Sequence, residues 1–388
     1  VALDIHQILM LKNKIYKYLW NEIFKSFITI LLTFTAIAWV VRAVNFLDLM
    51  VEDGYSASIY INYSLLNIST IMTRFVPLAF LLSLIFSIIK FEKQQEFLIL
   101  WTSGIVKTKI VNVFLLVALG VASFQLILGV FVNPYLLDKS RFMLKNNEQL
   151  QVNSVLKSNE FIDSFKSITF YIDKKSSNNE LLNIFIKDVG KNLNVISEEA
   201  NSTKNSTIIA EKGIVTNGKL VLFNGIVQTL NKKNEIKNIR FEKNELSLVG
   251  LTIRTITQPK IQETSTRSLF KCLYVPKNNL NLSKCSVKNY RGEVVQNLSR
   301  RFGPAFYIPL VSVIVSFLLI YKKEKKYNFL KKYLLFFLSF LILVFAEIIL
   351  KYTGFFQVIV VSYFVLPLIV FTFVYIYLIK KISYEKKI

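Results

Sequence analysis

Six stretches of this chain, roughly 24–47, 64–90, 105–132, 302–321, 330–350 and 356–379, stay apolar over about the 20 residues that a helix needs to cross about 30 Å of hydrocarbon. A soluble core helix has no use for runs of that length. They come in two groups of three, one near each end, and leave a polar middle. The 388 residues are 53% hydrophobic with 33 Phe, and it is the uneven placement of these residues that argues for a membrane protein carrying an extramembrane domain. No small-residue cleavage site follows the first run, so it is expected to stay as a helix.

Two prolines stand out within the runs. Pro77 lies in the second and Pro367 in the sixth. Each removes a backbone donor, so each is tolerable only where a neighbour satisfies the freed carbonyl, and both are expected to mark kinks.

Lysine gives the orientation. The formal net charge is +23, but many of the lysines flank apolar spans, as Lys322, Lys323, Lys325, Lys326, Lys331 and Lys332 do. That placement fits membrane orientation better than a phosphate-binding face, so no nucleic-acid partner is expected. Lys12, Lys14, Lys17 and Lys25 precede the first span, and Lys90, Lys93, Lys107 and Lys109 surround the loop between spans two and three. The tail carries Lys380, Lys381, Lys386 and Lys387, whereas no basic residue lies between Arg42 and Arg74. All the basic segments fall on one side if both termini are cytoplasmic, which puts the polar middle outside.

That middle changes period from about residue 160. SITFYID, LLNIFIKD, TIIA, KLVLFN, GIVQTL and Ile239–Leu248 are short β-rich runs separated by Asn, Gly, Lys and Ser clusters, with Asn217-Gly218 and Asn224-Gly225 as turn signals. The pattern predicts a sandwich or jelly-roll. The fold class is therefore an α-helical membrane protein of six spans, three and three, flanking an all-β extracytoplasmic domain. Residues 1–133 form the first membrane half, 134–300 the β domain and 301–388 the second half.

Chemistry is sparse. The single histidine, His6, precedes the first span, so the middle has no His-based triad or zinc site. No G-x-x-x-x-G-K-[ST] sequence occurs, and the chain is not expected to hydrolyse ATP or to bind a cofactor itself. Asp163, Asp173, Asp188 and Glu211 read as turn carboxylates with no converging motif. Cys272 and Cys285, the chain's two cysteines, both fall outside, where a disulfide is permitted.

Charges within spans are costly unless they face a cavity or a partner. Arg42, Arg74, Glu347 and Lys351 all map to the outward half of their spans, and Lys139 and Arg141 lie just beyond the third. Cations gathered at one depth suit an amphiphile with phosphate or carboxylate groups, although Arg42 and Lys351 are shallow enough to snorkel. The loop KFEKQQEFLILWTSGIVKTK reads as a short helix ending at Gly104. Phe97, Leu98 and Trp101 form its apolar stripe, and Glu92 and Glu96 stand one turn apart. It is either an interfacial helix or a coupling helix that engages a cytosolic motor.

Taken in order, the stretch VPLAFLLSLIFSIIKFEKQQEFLILWTSG, Asn133-Pro134 and the β-rich runs SITFYIDKK, LLNIFIKD and IIAEKGIVTNGKLVLFNGIVQTL resemble the LptF/LptG permeases of the lipopolysaccharide exporter, with the β-rich runs closer to the LptF pattern. The resemblance implies a periplasmic β-jellyroll in a bacterial inner-membrane protein. It also implies an LptG-like sister permease, an LptB-like ATPase dimer that binds the ATP and Mg, LptC- and LptA-like bridge proteins, and lipopolysaccharide as substrate. In its terms Arg42, Lys139 and Arg141 match headgroup contacts, and Glu96 meets the ATPase. The cysteine pair departs from the family pattern. A tether or scaffold without transport, or a membrane-anchored enzyme, stays open at this point.

Overall fold

The computed structural model describes residues 2–47, 50, 55–155, 158–165, 168–176, 180–189, 206–216, 219–230, 236–247, 260–274, 290–320 and 325–385. In chain order its helices are α1 (Ala2–Asn45), α2 (Ala57–Leu66), α3 (Ile68–Lys93), α4 (Glu96–Thr102) and α5 (Lys107–Ile127). A π-helical turn (Leu128–Val132) leads into α6 (Asn133–Val155). After the strands follow α7 (Thr266–Tyr274), α8 (Tyr290–Phe302), α9 (Pro304–Ser316), α10 (Lys325–Tyr352) and α11 (Gln357–Glu385). Among the described residues, six helical stretches are long and apolar enough to cross a membrane. The chain divides into two compact units, one of residues 1–40, 67–137 and 260–388, the other of 41–66 and 138–259.

The domain boundaries expected from sequence shift accordingly. Residues 260–300, expected in the β domain, are mainly helical where described and belong to the helical unit. The fourth span runs from Tyr290 to Leu319 rather than beginning at 302, because α8 is amphipathic and its buried stripe of Val294, Leu298 and Ser299 is diluted by polar neighbours. The third span likewise continues through the π turn to Leu144.

Within the helical unit the core is an apolar cluster drawn from α1, α3, α4, α5, α9 and α11, with Phe27, Phe80, Phe91 and Phe114 fully buried. The prolines show how this bundle is satisfied. Pro77 cannot donate to the carbonyl of Thr73, and the Gln125 amide of α5 donates to it instead at 3.2 Å. Beside Pro134, in the π turn, the Thr266 hydroxyl donates to the Val130 carbonyl at 2.7 Å. Pro367 leaves Tyr363 free, and the Tyr307 hydroxyl donates at 3.1 Å. Close backbone approach elsewhere needs glycine. A Cβ on Gly303 would lie 2.0 Å from the buried Tyr363 ring, and one on Gly292 would lie 2.4 Å from the Gly354 carbonyl oxygen.

In the second unit six antiparallel strands run in meander order: β1 (Phe161–Phe165), β2 (Ile168–Lys175), β3 (Glu180–Asp188), β4 (Ser206–Thr216), β5 (Lys219–Leu230) and β6 (Ile236–Ser247). The described strands thus make one sheet, not two separately strung ones, and that sheet bends. Along β3 to β6 the inward residues recur every second position, except at one level. There the interval becomes three, from Leu181 to Ile184, Ala210 to Gly213, Leu222 to Gly225 and Phe241 to Asn244. The pairs at this level (Asp173, Asn183, Glu211, Asn224 and Glu242) drop out of the ladder while the register on either side is unchanged. Asn183 and Asn224 hold positive φ angles of 52° and 49°. One extra residue per strand at a common level keeps the same face inward while bending every strand there. Both halves then feed one core of Ile168, Phe170, Ile172, Ile184, Ile186, Leu220, Leu222 and Leu246.

Asn224-Gly225, expected to be a turn, is this bend inside β5. Asn tolerates the left-handed backbone, and Gly225 leaves room for the Phe241 ring, which a Cβ would meet at 2.4 Å. Thr216 pairs with Lys219 around the other turn signal, while Asn217 and Gly218 themselves lie outside the described residues. On the outer surface Lys243, and more weakly Lys219, hold the Glu245 carboxyl below its usual range.

The substitutions Gln125→Leu and Tyr307→Phe each strip the donor from a carbonyl orphaned by proline. Each is expected to lower stability by about 1–2 kcal/mol. Unfolding in mixed micelles measures this, and wild-type stability in both would mean that the carbonyls need no side-chain donor.

Candidate functional site

The helical unit holds a cavity of about 440 Å³ bordered by α3, the π turn, α6, α8 and α10. Arg74, Glu347 and Lys351, three of the residues singled out from sequence, meet in its wall with Pro77, Gln125 and Asn133. An apolar annex of about 300 Å³ shares Arg74, Pro77, Pro304, Glu347 and Lys351 and extends between Tyr307, Phe340, Leu343 and Tyr363. Polar and apolar halves meeting at one ring of charge suit a molecule that carries both an anionic group and a hydrocarbon part.

Sequence reasoning missed Arg300 and Arg301, which line the same cavity. They stand at the end of α8, inside the fourth span, whereas the apolar window placed them on the edge of the β domain. With Arg74 and Lys351 they bring the basic side chains in the lining to four, against the single acidic Glu347. The two arginines differ in kind. Arg301 is 5% exposed and spends its donors on neutral acceptors. Nε donates to Asn297 at 3.1 Å, Nη1 to Thr266 Oγ1 at 2.6 Å, and Nη2 to the carbonyls of Thr264 at 2.8 Å and Gln262 at 3.2 Å. It therefore fastens the segment before α7 onto α8. Arg300 is exposed and makes no such set of bonds.

One wall of the cavity is itself a polar network. Ser69 Oγ donates to Asn133 Oδ1 at 2.6 Å, and Asn133 Nδ2 donates to Thr73 Oγ1 at 2.8 Å. Gln125 is 1% exposed, with its Nε2 engaged and its Oε1 unsatisfied. The nearby π turn brings Gly129 against Arg301, where a Cβ would lie 2.8 Å from the Arg301 carbonyl oxygen.

Arg42, Lys139 and Arg141 belong to the other compact unit and do not line this cavity. Arg42 sits in the last turn of α1, Lys139 is exposed on α6, and Arg141 is half-buried there. The carboxylates of the sheet do not converge. Asp163 accepts from Thr169, Asp173 from Asn183 and Glu211 from Asn224, while Asp188 is buried. Cys272 is buried on α7 and disulfide-bonded, and Cys285 lies outside the described residues.

The loop between spans two and three forms the second site. Gln95 turns the chain with φ 57°, α4 runs from Glu96 to Thr102, and Gly104 ends it at φ +83°. The Gly104 and Ile105 amides donate to the Trp101 and Leu100 carbonyls at 3.1 and 3.0 Å, a Schellman end with Ile105 and Leu100 both buried. The expected apolar stripe is corrected here. Phe97 and Trp101 face inward and stack at 5.8 Å, with Phe91 edge-on to Phe97. It is Leu98 and Ile99 that face out, 58% and 62% exposed. A seven-residue helix is too short for its periodicity to say which stripe the core takes.

Both glutamates have partners on other helices. Glu92 pairs with Lys332 at 2.6 Å, and Glu96 accepts from the Tyr18 hydroxyl at 3.0 Å. Lys90 pairs with Glu22, and Lys107 lies 4.7 Å over the Trp101 ring. Glu92, Phe97 and Trp101 line a groove of about 190 Å³ with Leu318, Ile320, Lys331 and Lys332, while Glu96 and Gly104 stand outside it.

A bundle of six helices apolar enough to span a membrane, with charge beside an apolar slot and a bent β sheet in the same chain, defines a multi-pass helical membrane protein with a β domain. Residues 17–381 match the family of the lipopolysaccharide export system permease LptF/LptG, and the chain belongs to that family, whose members are permease subunits of a transporter. It is also similar to the uncharacterized protein RP871 of Rickettsia prowazekii (strain Madrid E), 20% identical over 322 residues that cover 81% of this chain and 84% of that protein.

The contrast between the arginines is testable. Arg301→Gln is expected to lower the thermal stability of the purified chain, because several acceptors of the 261–266 segment lose their donor. Arg300→Gln should leave it unchanged. Equal melting temperatures for the two variants would contradict the division.

Proposed function

We propose that this chain is the LptF-type permease subunit of an exporter that extracts lipopolysaccharide from the inner membrane and hands it to its own β domain. The observation that carries the reading is the charged cavity with an apolar annex, in a chain of this family. Such a cavity matches a phosphorylated saccharide bearing acyl chains, since arginine pairs phosphate bidentately and the annex accepts hydrocarbon. Arg74, Glu347 and Lys351, now joined by Arg300, would meet the headgroup. Arg42, Lys139 and Arg141 would act on the same headgroup as it leaves the helices.

The lysine distribution supports cytoplasmic termini and a periplasmic β domain. In that orientation α4 faces the cytosol, where Leu98 and Ile99 form the surface an ATPase dimer would grip, with ATP and Mg bound by that partner. Closure of the dimer would tilt α4, shift the first three spans against a sister permease and narrow the space available to the lipid. The headgroup cations hold the sugar while acyl chains slide between apolar helices, and the bent sheet offers the next apolar surface. LptC- and LptA-like proteins would continue the path toward the outer membrane.

The test is a detergent pull-down of this chain co-expressed with a sister permease and a cytosolic ATPase. Glu96→Ala should weaken ATPase association or coupled hydrolysis without affecting membrane insertion. Exchanging Leu98 and Ile99 for Ser should do the same while the fold is kept, because neither side chain is part of the core. Wild-type assembly and export in both variants would remove α4 from the coupling role, and a chain that purifies alone would favour a tether.

A further inference from the structure

The two sites are joined by α10. At one end of that helix Lys332 pairs with Glu92, three residues before the turn into α4, and Lys331 donates to the Ile320 carbonyl at 2.7 Å. At the other end Glu347 and Lys351 stand in the cavity wall opposite Arg74 and Pro77 of α3. From Lys332 to Glu347 the helix rises about 22 Å, and from Glu92 back to Arg74 along α3 about 27 Å. The two helices therefore run side by side with charge at both ends.

Their packing differs. Only 22% of the apolar window of α10 is buried, against 56% for the span containing α3 and 67% for the span containing α9. The span containing α9 also reaches both sites, through Pro304 and Tyr307 at the cavity and Leu318 and Leu319 at the groove, but it is the most buried span. The Tyr18–Glu96 and Glu22–Lys90 contacts tie the same segment to α1, which contributes no lining to the cavity among the described residues. An ion pair as exposed as Glu92–Lys332, with side chains 42% and 25% accessible, adds little to stability. Its position, at the foot of a loosely packed helix whose far end carries two cavity charges, is what gives it consequence.

We propose that Glu92 and Lys332 are positioning residues that pass the displacement of α4 to α10, and so to the Glu347–Lys351 side of the charged cavity. Pro77 makes this mechanically direct. It interrupts the backbone ladder of α3 where the cavity begins, so the part of α3 carrying Glu92 can tilt and draw α10 by its Lys332 end. Neither residue touches substrate. The inference rests on the transport reading above.

The experiment uses the full complex of this chain, its sister permease and the ATPase in lipid nanodiscs, measuring basal hydrolysis and its response to added lipopolysaccharide. Glu92→Lys and Lys332→Glu should each cut that response, taken relative to the variant's own basal rate, about fivefold or more. The double exchange, which restores an ion pair of reversed sense, should recover it. Single variants that respond like wild type, or a double exchange no better than the singles, would overturn the proposal. A wild-type complex that binds no ATPase and ignores lipopolysaccharide would instead overturn the transport reading, and this inference with it.

Discussion

The helical unit depends on replacing the backbone hydrogen bonds that proline removes. In hydrocarbon no water can reach an orphaned carbonyl, so a proline within a span obliges a neighbouring helix or segment to supply a donor. Beside Pro77, Pro134 and Pro367 the donors are Gln125, Thr266 and Tyr307, directed at Thr73, Val130 and Tyr363. Each bond crosses between elements distant in sequence, so each fixes a packing relation as well as satisfying an atom. Thr266 also accepts from Arg301, which couples one of these repairs to the only buried arginine among the described residues.

The cavity follows from the same repairs. Pro77 opens α3 where Gln125 and the Ser69–Asn133–Thr73 chain must face inward, and a polar wall results where an unbroken apolar helix would have packed shut. A polar wall lowers the cost of placing Arg74, Glu347 and Lys351 beside it, and those charges in turn keep the space from closing. The bend in the β sheet is a comparable device in the other unit. One extra residue per strand, with Asn183 and Asn224 in left-handed backbone, lets a single meander enclose a core that would otherwise need two sheets.

What could be read in advance tracks the range of the physics involved. Span positions depend on summed hydropathy, and proline repair on a general rule of the bilayer, so both were legible without coordinates. Arg300 and Arg301 were not, because the window that finds a span averages away an amphipathic start such as Tyr290–Phe302. The inward turn of Phe97 and Trp101 was hidden for a different reason. Over seven residues, helical periodicity offers two stripes of similar hydropathy, and the choice is made by Phe91, which lies beyond the turn at Gln95. Asn224-Gly225 has the composition of a hairpin turn because turn and bulge make the same demand on the backbone, and only the neighbouring strands decide between them.

The placement of charge then separates the work of the helices. α9, in the most buried span, carries its contacts as apolar surface and cannot shift without disturbing the common core. α10 has little core to disturb and is anchored by side chains long enough to follow a moving partner. Packing is therefore tightest along the span of α9, and the polar ends of α10 are where a displacement disturbs least core. The lysines flanking that span have a second consequence beyond orientation. Lys331 and Lys332 occupy the positions that the positive-inside rule would fill on any such helix, and here they also grip Ile320 and Glu92. Residues required by insertion are thereby used again to connect the α4 loop with the helix that lines the charged cavity.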